Sequence, residues 1–267
     1  MKIVACVKEI LDPDIASSVF RVDEDARQVI PVPGLRSVMS PFDEQAIEVA
    51  LRLRDALGEA SITLLSLGDE SARAILKHGL SLGADEAVLL ADPAFEGGDS
   101  FTTARALAAA IRRIGDVDLV ITGRQAADGD SGVVGCGIAE LLGIPAVTFA
   151  MDVTVADGML VVERSLGDSA ETVAMPMPAL VTVSHEVGKV RHASLRETMK
   201  AARKPLHVWT PEDIGLAPAE IGVQGARRVL ERLYIPATDI ECEYIGGATP
   251  AELAANLVLR LAAARLI

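Results

Sequence analysis

Aromatic side chains are scarce, with one Trp, two Tyr and five Phe among 267 residues, which disfavours an all-β sandwich. Cysteine is scarcer: Cys6, Cys136 and Cys242 are odd in number and far apart, with no C-x-x-C pair and no His at metal-ligand spacing. That pattern argues against a metal site and predicts three reduced, mostly buried thiols. Positive charge is in deficit, and the net charge of −13 opposes any phosphate-rich polymer, so nucleic-acid binding is not expected. No apolar run reaches the roughly 20 residues needed to span a bilayer. Residues 1–8 read as a strand without a signal-peptide pattern, so a cytoplasmic protein with no transmembrane segment is expected. Catalytic constellations are also missing. His78, His185, His192 and His207 have no Ser or Cys partner in a nucleophile elbow, and no paired carboxylates sit in a glycine-framed turn.

What is present is aliphatic. Half the residues are apolar, dominated by Ala, Val, Leu and Ile, which suits helices packed on both faces of a β-branched parallel sheet. A chain of this length buries roughly 70–75% of its unfolded surface, enough for one large domain with an appendage.

The hydrophobic period alternates between 2 and 3.6 along the chain. Residues 2–8 read as a first strand, and residues 20–22 and 28–32 as a small hairpin excursion. Ser40, Pro41 and Asp43 spell an N-cap, a proline at the first helical position and a capping box before Ala46, Ile47, Ala50, Leu51 and Leu53. Strands are then predicted at 60–66, 87–90 and 119–122, and helices at 70–82, 101–114 and 133–142, which implies a doubly wound, mostly parallel sheet. Extended segments at 147–155, 160–164, 172–174 and 180–183 follow, with a turn at Asp157-Gly158, and predict a meander at the sheet edge. Residues 206–248 lack the periodicity of a core and predict an extended arm that packs on a partner chain. A last helix is expected over 250–266.

In such sheets ligands bind beyond the carboxyl ends of the strands. The strongest local signal there is Thr122-Gly123-Arg124-Gln125-Ala126-Ala127-Asp128-Gly129-Asp130-Ser131-Gly132-Val133-Val134-Gly135, which leaves a strand and opens a helix. Its glycines permit close backbone approach, and free amides at a helix N-terminus can hold a phosphate, so the expected ligand is an adenine nucleotide or dinucleotide. Asp128 and Asp130 would repel a phosphate and are assigned to helix capping or sugar hydroxyls. The alternative is a plain glycine-rich turn with an Asp or Ser cap. Gly97-Gly98-Asp99-Ser100 is a second candidate, but it lacks the spacer and the position of an ATP-pyrophosphatase loop. The turns after the first two strands, Val7-Lys8-Glu9 and Ser66-Leu67-Gly68, complete the rim. Trp209 and His78 read as packing or surface residues.

These residues resemble a known family. Ser40-Pro41-Phe42-Asp43-Glu44-Gln45-Ala46-Ile47-Glu48 is similar to the N-P-F-D-E-x-A-x-E segment of electron-transfer flavoprotein β subunits, with Ser in place of Asn. Residues 123–130 resemble their G-[KR]-Q-A-I-D-x-D loop, with Ala127 in place of Ile. Arg191-His192-Ala193-Ser194-Leu195-Arg196 with Met199-Lys200-Ala201 resembles their recognition loop and M-K-A helix. The resemblance implies an adenine nucleotide α-hydrolase-like fold and a heterodimer with an FAD-containing α subunit. It places Ala5, Cys6, Val7, Ser40 to Asp43, Ser66 and residues 123–134 around the nucleotide. It also makes Leu195, with Arg191 and Arg196 beside it, the anchor for a dehydrogenase or quinone reductase partner; Lys200, Arg203 and Lys204 add positive charge there. The segment around Asp99, Ser100 and Thr103, with Asp128-Gly129-Asp130-Ser131 and the tail at 208–216, resembles the bifurcating and nitrogen-fixation-associated subfamily. That favours FAD over a structural AMP, with NADH as a possible electron donor. A stand-alone adenine-nucleotide-binding or hydrolysing module is the alternative from another class. The expected division is an α/β domain at 1–190, a recognition loop and helix at 191–204, and an arm with a helix at 205–267 that packs on the α subunit.

Overall fold

Strand β1 (Lys2–Cys6) lies in the interior of a nine-stranded sheet because every residue after Lys2 is apolar and both faces are covered. A computed structural model describes residues 1–16, 18–30, 36–236 and 242–267. After β1, a short ribbon pairs β2 (Glu9–Leu11) with β5 (Ser37–Met39), and a second joins β3 (Val22–Asp23) to β4 (Gln28–Val29). The strand expected over 28–32 thus ends at Val29, and residues 31–35 lie outside the described residues. The excursion carries one more ribbon than periodicity suggests.

Helix α1 (Pro41–Leu57) leads to β6 (Ser61–Leu67), α2 (Arg73–Leu82) to β7 (Glu86–Leu90), and α3 (Ser100–Ile114) to β8 (Leu119–Gly123). Helix α4 (Val134–Leu142) precedes β9 (Ala146–Ala156), β10 (Met159–Ser165), β11 (Ala170–Met175) and β12 (Ala179–Val183). Then come α5 (Leu195–Ala201), β13 (Leu206–Trp209), α6 (Gly222–Gly225) and α7 (Pro250–Ala263). The sheet order is β11-β10-β9-β12-β8-β1-β6-β7-β13. From β1 the chain steps outward through β6 and β7, then returns to β8 on the other side, so strand order reverses between β1 and β8.

Side chains alternate across the sheet into two cores. Ile3, Ala5, Val7, Ile62 and Leu64 meet Ile47, Leu51 and Leu76 on one face, whereas Val4, Cys6 and Leu65 meet Ala104, Leu107, Ala108 and Ile138 on the other. Both faces are therefore occupied, and the doubly wound α/β class expected from periodicity is the observed one.

Two departures matter. Residues 180–183 are not part of the edge meander, which is β9 to β11; β12 runs parallel between β8 and β9 in the sheet interior. All five of its residues are buried, as a two-sided strand requires. Residues 206–231 are not a free arm either: β13 pairs in parallel with β7, and Ile214 and Ile221 are buried in the second core. Trp209 packs there at its edge, with the Arg113 guanidinium 4.6 Å from its ring centre. The cysteine expectation is also corrected, since only Cys6 is buried while Cys136 and Cys242 are exposed.

The chain divides into two compact units, Met1–Arg21 with Val29–Glu231 and Val22–Gln28 with Arg232–Ile267. Within the second, α7 is capped by Thr249, whose hydroxyl accepts from the Glu252 amide, and Arg260 pairs with Glu243 at 2.6 Å. No residue of α7 is buried. Residues 237–241 of the expected arm lie outside the described residues. Among the described residues no helix is long and apolar enough to cross a membrane, and no His, Cys, Asp and Glu group is arranged to hold a metal.

Candidate functional site

A cleft of about 620 Å³ opens where strand order reverses, walled by the ends of β1 and β8 and the starts of α3 and α4. Cys6, Val7, Asp43, Asp99, Ser100, Thr103, Gly123, Arg124, Gln125, Ala126, Asp128, Gly129, Asp130, Ser131, Gly132 and Val134, all expected from the sequence, line it together. Ala5 does not, because it is wholly buried within β1. Ser40, Pro41, Phe42, Ser66 and Val133 also lie off the lining.

The floor is set by Asp43. Its Oδ2 accepts the Lys8 amide at 2.8 Å and its Oδ1 the Gly123 amide at 3.2 Å, which joins the loops after β1 and β8. Burial pushes this carboxyl up to about 7 against the pull of those two amides. Burial and the neighbouring Asp43 raise the Cys6 thiol as well. The capping box read from Ser40 and Asp43 therefore does not form: Asp43 turns to distant amides, and the Ser40 hydroxyl caps nothing. Ser40 Oγ and Ser66 Oγ are fully buried with no hydrogen-bond partner. Orphaned hydroxyls of this kind are costly unless another group satisfies them.

Beyond β8 the backbone folds into an open bend. The Gly129 and Asp130 amides donate to the Ala126 carbonyl at 3.3 and 2.9 Å, and Asp130 and Gly132 take φ of 47° and 62°. A methyl at Gly129 would meet nothing within 4 Å. Helix α4 starts with Val133 as N-cap and no side chain bonds its first turn. The expectation that Asp128 or Asp130 caps it is corrected: Asp128 pairs with Lys8 at 2.6 Å, and Asp130 accepts from Gln125 Nε2 at 2.8 Å. The uncapped amides are thus left for an anion, and both carboxylates beside them have partners of their own.

Asp99 works at the opposite wall. Its Oδ1 caps α3 through the Phe101 and Thr102 amides at 3.1 and 3.0 Å, while its Oδ2 accepts the Arg227 and Arg228 amides at 2.8 and 3.0 Å. The tail this holds in place supplies Arg228, Val229 and Leu230 to the lining, which sequence reasoning missed. The one available signal was the Arg227-Arg228 pair following Gly222 and Gly225. Lys8, Leu67, Gly97, Gly98, Leu107, Thr122 and Gly135 also line the cleft.

The expected recognition segment lies elsewhere on the same unit. Ser194 and Glu197 form a capping box that starts α5 and presents Leu195 and Met199, 79% and 68% exposed. Arg196 is exposed beside them. Arg191 is not free for a partner: its guanidinium donates to buried Glu48 and to Asp55, both at 2.9 Å. Lys204 likewise donates to the Leu80 carbonyl at 2.9 Å.

A doubly wound sheet with a glycine-bordered bend at its strand reversal is an architecture of nucleotide-binding α/β proteins. The profile described as "Electron transfer flavoprotein domain" matches residues 33–214. The chain is 34% identical to the caffeyl-CoA reductase-Etf complex subunit CarD of Acetobacterium woodii over 261 residues, 98% of each chain. It is 34% identical to the electron transfer flavoprotein subunit beta of Megasphaera elsdenii over 88% of each chain, and 33% identical to protein FixA of Azorhizobium caulinodans over 90% of this chain and 86% of that one. This chain belongs to the electron transfer flavoprotein family, in its β-subunit branch.

Proposed function

We propose that the chain binds FAD in the cleft and, paired with an FAD-containing α subunit, carries electrons between NADH or acyl-CoA-type dehydrogenases and other acceptors. The observation that carries this reading is the uncapped first turn of α4 beside the open bend at Gly129, a set of amide donors with no carboxylate left to compete for them. The residues fit such a ligand. Amides from the bend and α4 would take the pyrophosphate, each hydrogen bond worth about 0.5–1.5 kcal/mol. A bound flavin would supply one- and two-electron transfer, while the protein's part is to hold it and exclude water. The segment with Asp99, Ser100 and Thr103 borders the cleft and, through its resemblance to the bifurcating subfamily, favours FAD over AMP and bifurcation over simple transfer.

The test is to copurify the chain with its α subunit and count FAD and AMP released per heterodimer. Two FAD and no AMP are expected. One FAD with one AMP would remove the second flavin, and a colourless monomer that hydrolyses ATP would remove the carrier role altogether.

A further inference from the structure

Residues 220–230 form a strap that is pinned at successive points along the mouth of the cleft. Glu220 pairs with Arg105 of α3, and Ile221 is buried in the second core. Gly222 has φ 53° and passes so close to the Ala94 carbonyl that no Cβ would fit, so glycine is required there. The Val223 amide donates to the Glu96 carbonyl at 3.0 Å. The Arg227 guanidinium stacks 3.5 Å from the Phe101 ring centre, and the Arg227 and Arg228 amides end on Asp99 Oδ2. A segment fixed this often delivers its next side chains to a defined place, and Arg228 is delivered to the cleft.

The charges around the cleft show what Arg228 can meet. Four carboxylates line it, and each has partners: Asp43 the Lys8 and Gly123 amides, Asp99 four amides, Asp128 the Lys8 ammonium, Asp130 the Gln125 amide. Among the cations, Lys8 is paired with Asp128, and Arg124 bonds Gln125 at 3.1 Å while lying 5.5 and 5.3 Å from the Phe42 and Phe149 ring centres. Among the described residues, the Arg228 guanidinium has neither a carboxylate within ion-pair distance nor a side-chain hydrogen bond. A guanidinium presents a planar fork of donors that matches a phosphate.

We propose that Arg228, held by the Asp99 latch, is a phosphate ligand of the cleft, so that the tail contributes directly to nucleotide affinity. This rests on the nucleotide reading above, and the following titration separates the two. The nucleotide-stripped full chain with its α subunit is titrated with adenosine, AMP and ADP, for the wild type and for Arg228→Ala, Arg228→Lys and Arg228→Glu. Loss of one charge-assisted contact at an exposed position weakens AMP and ADP about 10-fold in Arg228→Ala, more in Arg228→Glu and less in Arg228→Lys, with adenosine unchanged. AMP and ADP affinities equal to wild type in Arg228→Ala would overturn the assignment and leave the cleft reading intact. Equal losses for adenosine and AMP would also overturn it, since the strap would then act by covering the base or sugar. A wild-type protein that binds none of the three would remove both readings.

Discussion

Gly123 stands where β8 ends and the bend begins, and its replacement by Ala tests the Asp43 clamp. A Cβ there would lie 2.5 Å from Asp43 Oδ1, 2.7 Å from Phe42 Cβ and 3.0 Å from the Phe42 carbonyl carbon. All three belong to the first turn of α1, and the two Phe42 atoms cannot yield as the tip of a flexible side chain would. The cost is that of forcing one methyl into a packed site, about 1–3 kcal/mol. For a chain of this size that lowers Tm by about 2–10 °C. Gly129→Ala is the matched control: its new methyl meets nothing, so stability stays within about 0.5 kcal/mol of wild type. Yet Gly129→Ala should still weaken AMP or FAD, because the open space at Gly129 is where a ligand would approach the backbone. Urea denaturation and nucleotide titration of both variants separate the effects. A Gly123→Ala protein as stable as wild type, or a Gly129→Ala protein destabilised to the same degree, would refute the packing on which the clamp rests.

Other expectations concern charge and surface. Because burial lifts Asp43 to about 7 from an ordinary 3.8, the folded protein keeps a proton that the unfolded chain releases. Its contribution to stability is complete below pH ~4 and declines as pH rises toward 7, by up to about 4 kcal/mol. Asp43→Asn should remove that slope, and parallel stability curves for the two proteins between pH 4.5 and 7.5 would contradict it. Burial alone would raise Glu48, but hydrogen bonds from Arg191 and Arg52 hold it below its ordinary value. Arg191→Met should therefore cost about 1–2 kcal/mol at neutral pH, with the loss shrinking as pH falls through the Glu48 titration; an unchanged urea midpoint at pH 7 tells against it. If Leu195 anchors a redox partner, as its resemblance to the family's recognition loop implies, Leu195→Ala should weaken that partner about 5- to 30-fold without lowering flavin content, and an unaltered transfer rate would end the proposal.

The layer architecture was legible because local periodicity dictates it: a buried run such as residues 2–6 and a capped amphipathic helix such as α3 each reveal themselves within one window. Sequence reading failed where partners are remote. Ser40 and Asp43 have capping-box spacing, but Asp43 is claimed by amides 35 and 80 residues away. Asp128 has the look of a cap until the fold brings Lys8 to it across 120 residues. The error over β12 was avoidable, since its unbroken apolar run is the mark of a strand covered on both faces. Strand β13 is harder to read, because a four-residue edge strand with half its positions exposed carries little pattern. The strap escaped because its anchors, Asp99 and Glu96, lie more than 120 residues earlier.

Amide hydrogen exchange over residues 123–137, with and without saturating FAD or AMP, tests most directly whether the bend and the first turn of α4 hold a nucleotide phosphate. Slowed exchange at those amides on adding either nucleotide is predicted, with adenosine giving less protection. Identical exchange in the presence and absence of every nucleotide would contradict it.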